Sequence, residues 1–158
     1  MRIIKNWING RWVESSSGAT ARTCNPARIT EEVSLYPLSI AQDAQQAIAA
    51  ASEAFPKWAK TPPPQRGAIL DRAGQIIDIR LDDMARALTQ AEGKTFAEAK
   101  SEVIRARDIF KYFGGEGWRM GGKVLPSNTP NKLLYAKREP LGVVTIITPW
   151  NFPIAIPA

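Results

Sequence analysis

The sequence predicts an α/β fold in which an N-terminal β-hairpin and a cluster of helices lead into the first strand of an incomplete parallel sheet. Three features carry this. Gly142 to Thr148 is almost uniformly apolar and β-branched instead of alternating, the pattern of a strand covered on both faces in a parallel sheet. Between residues 39 and 122, apolar side chains recur at three- and four-residue steps, the spacing of helices that each bury one face. Near the start, Asn9-Gly10 stands between two tryptophan-bearing segments, a hairpin signature. A parallel strand needs neighbours reached by crossovers, and no further strand-and-helix unit comes after this one, so the sheet is expected to be begun and not finished.

In chain order, Ile3 to Glu14 reads as the hairpin: Asn6-Trp7-Ile8, the turn Asn9-Gly10, then Arg11-Trp12-Val13. Asn-Gly supplies the positive φ angles of a two-residue type I′ turn. Ser15, Ser16, Ser17 and Gly18 form a loop, and a short strand spans Val33 to Tyr36 after the turn signal Asn25-Pro26. Ser39 and Gln42 form the expected capping box of a first helix, whose Ala44, Ile48, Ala51, Phe55 and Trp58 make one apolar stripe. Pro62-Pro63-Pro64 interrupts the chain, and a second helix places Ile69, Leu70, Ala73, Ile76, Ile77 and Leu81 on one side. A third helix holds Met84, Leu88 and Ala91; Gly93 is its C-cap, with Lys94 near the negative end of the dipole. A fourth carries Phe96, Ala99, Val103, Ala106, Phe110 and Phe113, is weakened towards its end by Gly114-Gly115-Glu116-Gly117, and is closed by Gly121-Gly122. Lys132 to Arg138 reads as an exposed or partly covered strand that leads through Glu139-Pro140 into the buried one.

Bulk properties narrow the function classes. The single cysteine, Cys24, excludes an intrachain disulfide and a multi-cysteine zinc site, and the absence of histidine removes histidine-based triads and the commonest metal ligand. No metal is expected. The net charge of +6 raises nucleic acid as a partner, but acidic and basic side chains alternate along the helical region without a one-sided cluster, which argues against it. No run approaches the roughly 20 apolar residues of a membrane span, and the N-terminus lacks the apolar stretch of a secretion signal. A cytoplasmic protein with no membrane association is the expectation.

Ligands of open α/β sheets bind outside the carboxyl ends of the strands, which places Trp150, Asn151 and Phe152 at a functional edge. Asn151 is the strongest candidate for chemistry. Its amide can donate to an oxygen that gains negative charge, and such a donor in a water-poor site is worth about 3 to 4 kcal/mol of barrier. The competing reading is an asparagine that satisfies the backbone of its own turn. Lys94 follows a glycine, as phosphate-binding lysines do, but no Gly-x-x-x-x-Gly-Lys-Ser/Thr loop is present and helix capping accounts for it. Gly114-Gly115-Glu116-Gly117 follows a helix, not a strand, and fails as a dinucleotide fingerprint. Cys24, in Thr23-Cys24-Asn25-Pro26, matches no nucleophile motif and reads as a structural or incidental thiol.

The run Glu139-Pro-Leu-Gly-Val-Val-Thr-Ile-Ile-Thr-Pro-Trp-Asn-Phe-Pro153 resembles the aldehyde dehydrogenase superfamily. Several earlier pieces agree in order: the Asn9-Gly10 hairpin with Trp12, Asn25-Pro26-Ala27, Ala54-Phe55-Pro56, Glu92-Gly93-Lys94 and Tyr112-Phe113-Gly114-Gly115. The resemblance implies that the chain is the N-terminal portion of an NAD(P)-dependent enzyme, with an incomplete Rossmann-type parallel sheet. Residues 1–122 would be the N-terminal part of a cofactor-binding domain, 123–139 a bridging and oligomerisation strand region, and 140–158 the first Rossmann-type strand with its loop. It makes Asn151 the oxyanion donor, Ile147, Thr148, Pro149 and Trp150 contacts of NAD or NADP, and Phe152 a wall of the aldehyde tunnel. It also implies a homodimer or homotetramer. In the family a cysteine thiolate attacks a small-molecule aldehyde, hydride passes to NAD(P)+, and a glutamate-activated water hydrolyses the thioester. Both of those residues lie downstream of the matched region, so the 158-residue chain alone is expected to be inactive.

Arg105 flanks the stripe of the fourth helix in a region that lines the substrate entrance in the resembled family, so it could pair with the carboxylate of an acidic aldehyde. The plainer reading is a solvated arginine near Glu102. A second reading of the whole chain stays open: a non-catalytic truncated interaction module of the same fold, in which a partner covers the unfinished sheet edge.

Overall fold

A computed structural model describes residues 2–158. The hairpin forms as the sequence requires: β2 (Asn6–Ile8) and β3 (Arg11–Val13) pair antiparallel, with Trp7 opposite Trp12. Asn9 and Gly10 take φ values of 49° and 73°, the left-handed pair a type I′ turn demands. The tryptophan rings meet edge to face at 4.7 Å.

A three-stranded sheet lies beside it in the order β1 (Arg2–Ile3), β5 (Arg28–Pro37), β4 (Thr20–Asn25). The strand expected at Val33 to Tyr36 is therefore longer, and β4 is its unforeseen antiparallel partner. Asn25 and Arg28 pair across the tight turn that Asn25-Pro26 signalled, and the Asn25 side chain accepts from the Ala27 N–H.

The first helix, α1 (Ala41–Lys60), is not opened by Ser39 and Gln42. Asp43 performs the capping instead, accepting from the backbone N–H of Ile40 at 2.8 Å. The same carboxylate accepts from the Ser16 N–H and hydroxyl and from the Ser15 hydroxyl, tying the serine loop to the helix start. These bonds, those of Ile40 and of the Ser16 N–H foremost, outweigh burial and bring the Asp43 carboxyl down to about 2. The stripe expected on α1 is uncovered, with Ile48 52% and Trp58 45% exposed. β2 lies beside the first turns of the helix, and Asp43 is its buried residue.

The helices α2 (Pro63–Ile79), α3 (Leu81–Glu92) and α4 (Phe96–Arg119) form the core. The proline run starts α2, because prolines in a first turn lose no hydrogen bond. Arg80 separates α2 from α3, so Leu81 belongs to α3, where it packs on the core. Thr95 and Glu98 form a reciprocal capping box for α4, a pattern overlooked in the sequence. Ile77, Ala85, Leu88, Ala99 and Val103 make the buried cluster, and Ile154 reaches it from the far end of the chain.

The glycines at 114 to 117 do not end α4. The helix runs on to Arg119, and they bring two backbones together. A Cβ on Gly67 of α2 would stand 2.2 Å from the Gly114 carbonyl oxygen, and one on Gly117 would stand 2.4 Å from that of Pro63. Each mid-helix glycine costs roughly 1 kcal/mol against alanine, a loss that close helix packing offsets.

After α4, β6 (Lys123–Leu125) pairs antiparallel with β7 (Leu134–Ala136), which is shorter than the strand expected over Lys132 to Arg138. The buried strand expected at Gly142 to Thr148 is not present: the segment joins no ladder, and Val144 is 64% and Ile147 88% exposed. A strand exists through pairing, and no segment of residues 2–158 pairs with this one. What the structure shows is a mixed α/β fold of small sheets and four helices, with β1 and β5 as the parallel pair among the described residues.

Two outcomes follow from this packing. Gly67→Ala should lower unfolding stability by about 1 to 3 kcal/mol in urea denaturation, since a backbone must move; an unchanged midpoint would contradict the close approach. The depressed Asp43 carboxyl contributes stability in full above its ordinary range near pH 4 and loses it as pH falls through about 2. Stability of Asp43→Asn should therefore vary less between about pH 5 and pH 2 than that of the wild type, whereas parallel curves would remove the assignment.

Candidate active site

The turn between α3 and α4 and the first turns of α4 face the loop from Pro149 to Ala155. Gly93 ends α3 with φ 79°, and a Cβ there would meet the Ala27 N at 3.1 Å, so the turn fits closely against the β4–β5 connection. Lys94 follows it. Its ammonium does not cap α3: it contacts Glu92 at 2.6 Å, donates to Glu102 Oε2, and donates to the Asn151 carbonyl at 2.8 Å. It also stands 5.0 Å from the centre of the Phe152 ring.

Glu102 is 2% exposed. Its other oxygen, Oε1, accepts from the backbone N–H groups of Ile154 at 2.8 Å and Ala155 at 3.2 Å. Burial pushes its carboxyl up, but the bonds from Lys94, Ile154 and Ala155 together exceed that effect and hold it below the usual range. Burial likewise pushes the Lys94 ammonium down, and Glu102 and Glu92 more than compensate, raising it. Glu102 was singled out in the sequence only as a neighbour of Arg105. Its place three residues after Ala99 and four before Ala106, on the buried face of α4, was the available signal.

A cavity of about 540 Å³ opens beside this contact, lined among others by Lys94, Ser101, Glu102, Arg105, Asn151 and Phe152. The structure thus brings together Asn151, Phe152 and Arg105, which are 46 and 47 residues apart in the chain. Among the described residues the Asn151 amide makes no hydrogen bond, its residue being held through the carbonyl, so it does not spend its donors on its own turn. Arg105 has no ion pair among the described residues either, since Glu102 is engaged by Lys94 and Glu98 by the Thr95 cap. A second cavity of about 530 Å³ on the other side of Lys94 and Asn151 is bordered by Pro26, Glu92, Gly93 and Trp150.

The remaining expected residues are arranged more loosely. Ile147, Thr148 and Pro149 line neither cavity, and Trp150 is 87% exposed. Together they present an open, largely apolar edge. Cys24 lies exposed on β4 and borders neither cavity. Among the described residues no group of His, Cys, Asp and Glu is placed to hold a metal ion, and no helix is long and apolar enough to cross a membrane.

Residues 12–158 match the model of the aldehyde dehydrogenase family. The chain belongs to that family. It is 46% identical over 154 residues to the α-ketoglutarate semialdehyde dehydrogenase of Haloferax volcanii, an alignment that covers 98% of this chain and 32% of that protein. It is 40% identical to malonate-semialdehyde dehydrogenase 1 of Geobacillus thermodenitrificans, covering 99% of this chain and 32% of the relative. Among solved structures, an NAD-dependent aldehyde dehydrogenase from Sinorhizobium meliloti superposes with a TM-score of 0.93 at 30% identity, over 99% of this chain and 32% of that one. An NADP-dependent enzyme of E. coli also superposes at 0.93, with 34% identity over 98% of this chain and 32% of that one. The chain spans about a third of the length of these proteins and corresponds to the N-terminal portion of its family relatives.

The energetic weight of the Lys94–Glu102 contact is measurable. Lys94→Met leaves the Glu102 carboxylate buried without its counter-charge and should cost about 3 to 5 kcal/mol in chemical denaturation; a loss below about 1 kcal/mol, the range of an exposed pair, would refute the buried-pair description.

Proposed function

We propose that the polypeptide carrying this chain is an NAD(P)-dependent aldehyde dehydrogenase that oxidises a carboxylate-bearing semialdehyde to the corresponding diacid. The observation that carries this is the shared cavity: a free amide at Asn151, an aromatic wall at Phe152 and an uncommitted guanidinium at Arg105. The names of the relatives, semialdehyde dehydrogenases for α-ketoglutarate and malonate, support the same substrate class.

In this reading Arg105 binds the distal carboxylate and Phe152 packs on the chain between the two ends of the substrate. The aldehyde oxygen then lies at Asn151, whose amide donates to it as a thiolate adds to the carbonyl carbon and negative charge develops. The thiolate comes from a residue other than these, because Cys24 does not line the cavity, and the base for the hydrolytic water is assigned to another residue as well. NAD+ or NADP+, when bound, would supply the acceptor for the hydride, and water supplies the second oxygen of the acid. Ile147 to Trp150 offer that cofactor one apolar border; its phosphates need other parts of the polypeptide. Relatives bind NAD+ or NADP. Assembly as a homodimer or homotetramer through the exposed β6–β7 ribbon belongs to the same proposal, with Val124 and Leu133 as apolar contacts on its outside.

The test is kinetic. The complete polypeptide should oxidise α-ketoglutarate or malonate semialdehyde with NAD+ or NADP+, while the 158-residue chain alone should show no turnover. Arg105→Ala should raise KM about tenfold or more for carboxylated aldehydes, the loss of one charge-assisted contact, and leave KM for an uncharged aliphatic aldehyde within about twofold. An unchanged preference would remove the carboxylate from the proposal, and turnover by the short chain would overturn the assignment of its missing groups.

A further inference from the structure

We infer that Glu102 and Lys94 act as positioning residues for Asn151, fixing its amide by clamping the loop backbone on both sides of Phe152-Pro153. The inference rests on the reading of Asn151 as the oxyanion donor. An amide that stabilises developing charge must be held where the charge appears, and a misplacement of about 1 Å can remove roughly 100-fold in rate. Residues 150–156 have little internal means of holding it. They form bends and turns, and their one backbone hydrogen bond beyond regular elements runs from the Ile156 N–H to the Phe152 carbonyl at 3.3 Å.

The holding is done from outside. Lys94 donates to the carbonyl of Asn151 itself, and Glu102 Oε1 accepts from Ile154 and Ala155 just beyond. The two clamps are one unit, because Lys94 and Glu102 bond each other. Glu102 is fixed in turn by its place on α4 between the buried Ala99 and Ala106, while Ile154 packs on the helical core and Ala155 is buried. The loop is thus anchored at three backbone groups, two to Glu102 on α4 and one to Lys94 in the turn before it, all within four residues of the catalytic amide. A glutamate whose only task was to neutralise Lys94 would not need its second oxygen on this loop.

The experiment compares Glu102→Ala and Glu102→Gln with the wild type in the complete polypeptide, by hydrogen exchange and by steady-state kinetics with a carboxylated semialdehyde. In Glu102→Ala the amides of Ile154 and Ala155 should exchange about tenfold faster or more, as expected when a bond to a charged acceptor is lost. Amides in the middle of α2 should not change. The value of kcat should fall roughly 10- to 100-fold while KM stays within about threefold. Glu102→Gln keeps a carbonyl oxygen for the two N–H groups and should recover much of the protection and of kcat; if the alanine variant does not fold, the glutamine variant carries the test through a smaller loss of the same kind. Exchange at 154 and 155 equal to the wild type would overturn the clamp, and faster exchange with unchanged kcat would overturn its role towards Asn151. A wild-type polypeptide that oxidises no aldehyde would instead refute the proposed function, with the exchange result still deciding whether the clamp exists.

Discussion

Where α3 turns into α4, an ammonium and a carboxylate eight residues apart, Lys94 and Glu102, meet with the glutamate side chain fully buried and that of the lysine 16% exposed. Neither group can be accommodated there alone, because burying an unpaired charge costs far more than the surrounding packing returns. Together they still leave donors and acceptors to satisfy, and the loop supplies them: one carbonyl for Lys94 and two N–H groups for Glu102. The electrostatic requirement of the pair thus becomes a geometric requirement on Asn151 to Ala155. The cavity beside it, with Asn151, Phe152 and Arg105 on its walls, exists because that loop is drawn against α4.

The pair can be placed only because α4 itself is placed. Gly67, Gly114 and Gly117 allow α2 and α4 to approach backbone to backbone, and Val103 and Ala106 fill the remaining space on the buried face. Glycines in the C-terminal half of α4 set its height over α2; Glu102, near its N-terminal end, meets the loop. At the other end of the molecule Asp43 does for α1 what Glu102 does for the loop, collecting hydrogen bonds from a distant stretch of chain onto one carboxylate. In both places a single acid organises an irregular segment that has no ladder of its own.

Local signals were legible wherever one residue type has one cheap conformation. Asn9-Gly10 specified its turn and Gly93 its left-handed cap, and of the stripe read on α4 the middle, Ala99, Val103 and Ala106, is buried while Phe96 and Phe113 at its ends stand exposed. The resemblance to aldehyde dehydrogenases pointed to Asn151, Phe152 and Arg105, which prove to share a cavity. The glycines at 114 to 117 were misread because a glycine that ends a helix and one that admits a neighbour look alike until the neighbour is known. The stripe of α1 and the run from Gly142 to Thr148 were read correctly as apolar, yet both stand exposed, since burial is a property of a partner and none of the described residues supplies one.

By itself, then, the sequence determined the turns, the helices and the family, because these rest on conformational preferences and motifs carried by neighbouring residues. Only the tertiary structure decided which oxygen of Glu102 faces Lys94 and which faces the loop, and that among the described residues the amide of Asn151 makes no hydrogen bond and Arg105 no ion pair. Those outcomes depend on groups about 50 residues apart satisfying one another around the buried Glu102 carboxylate, where each hydrogen bond must be made and few arrangements make them all.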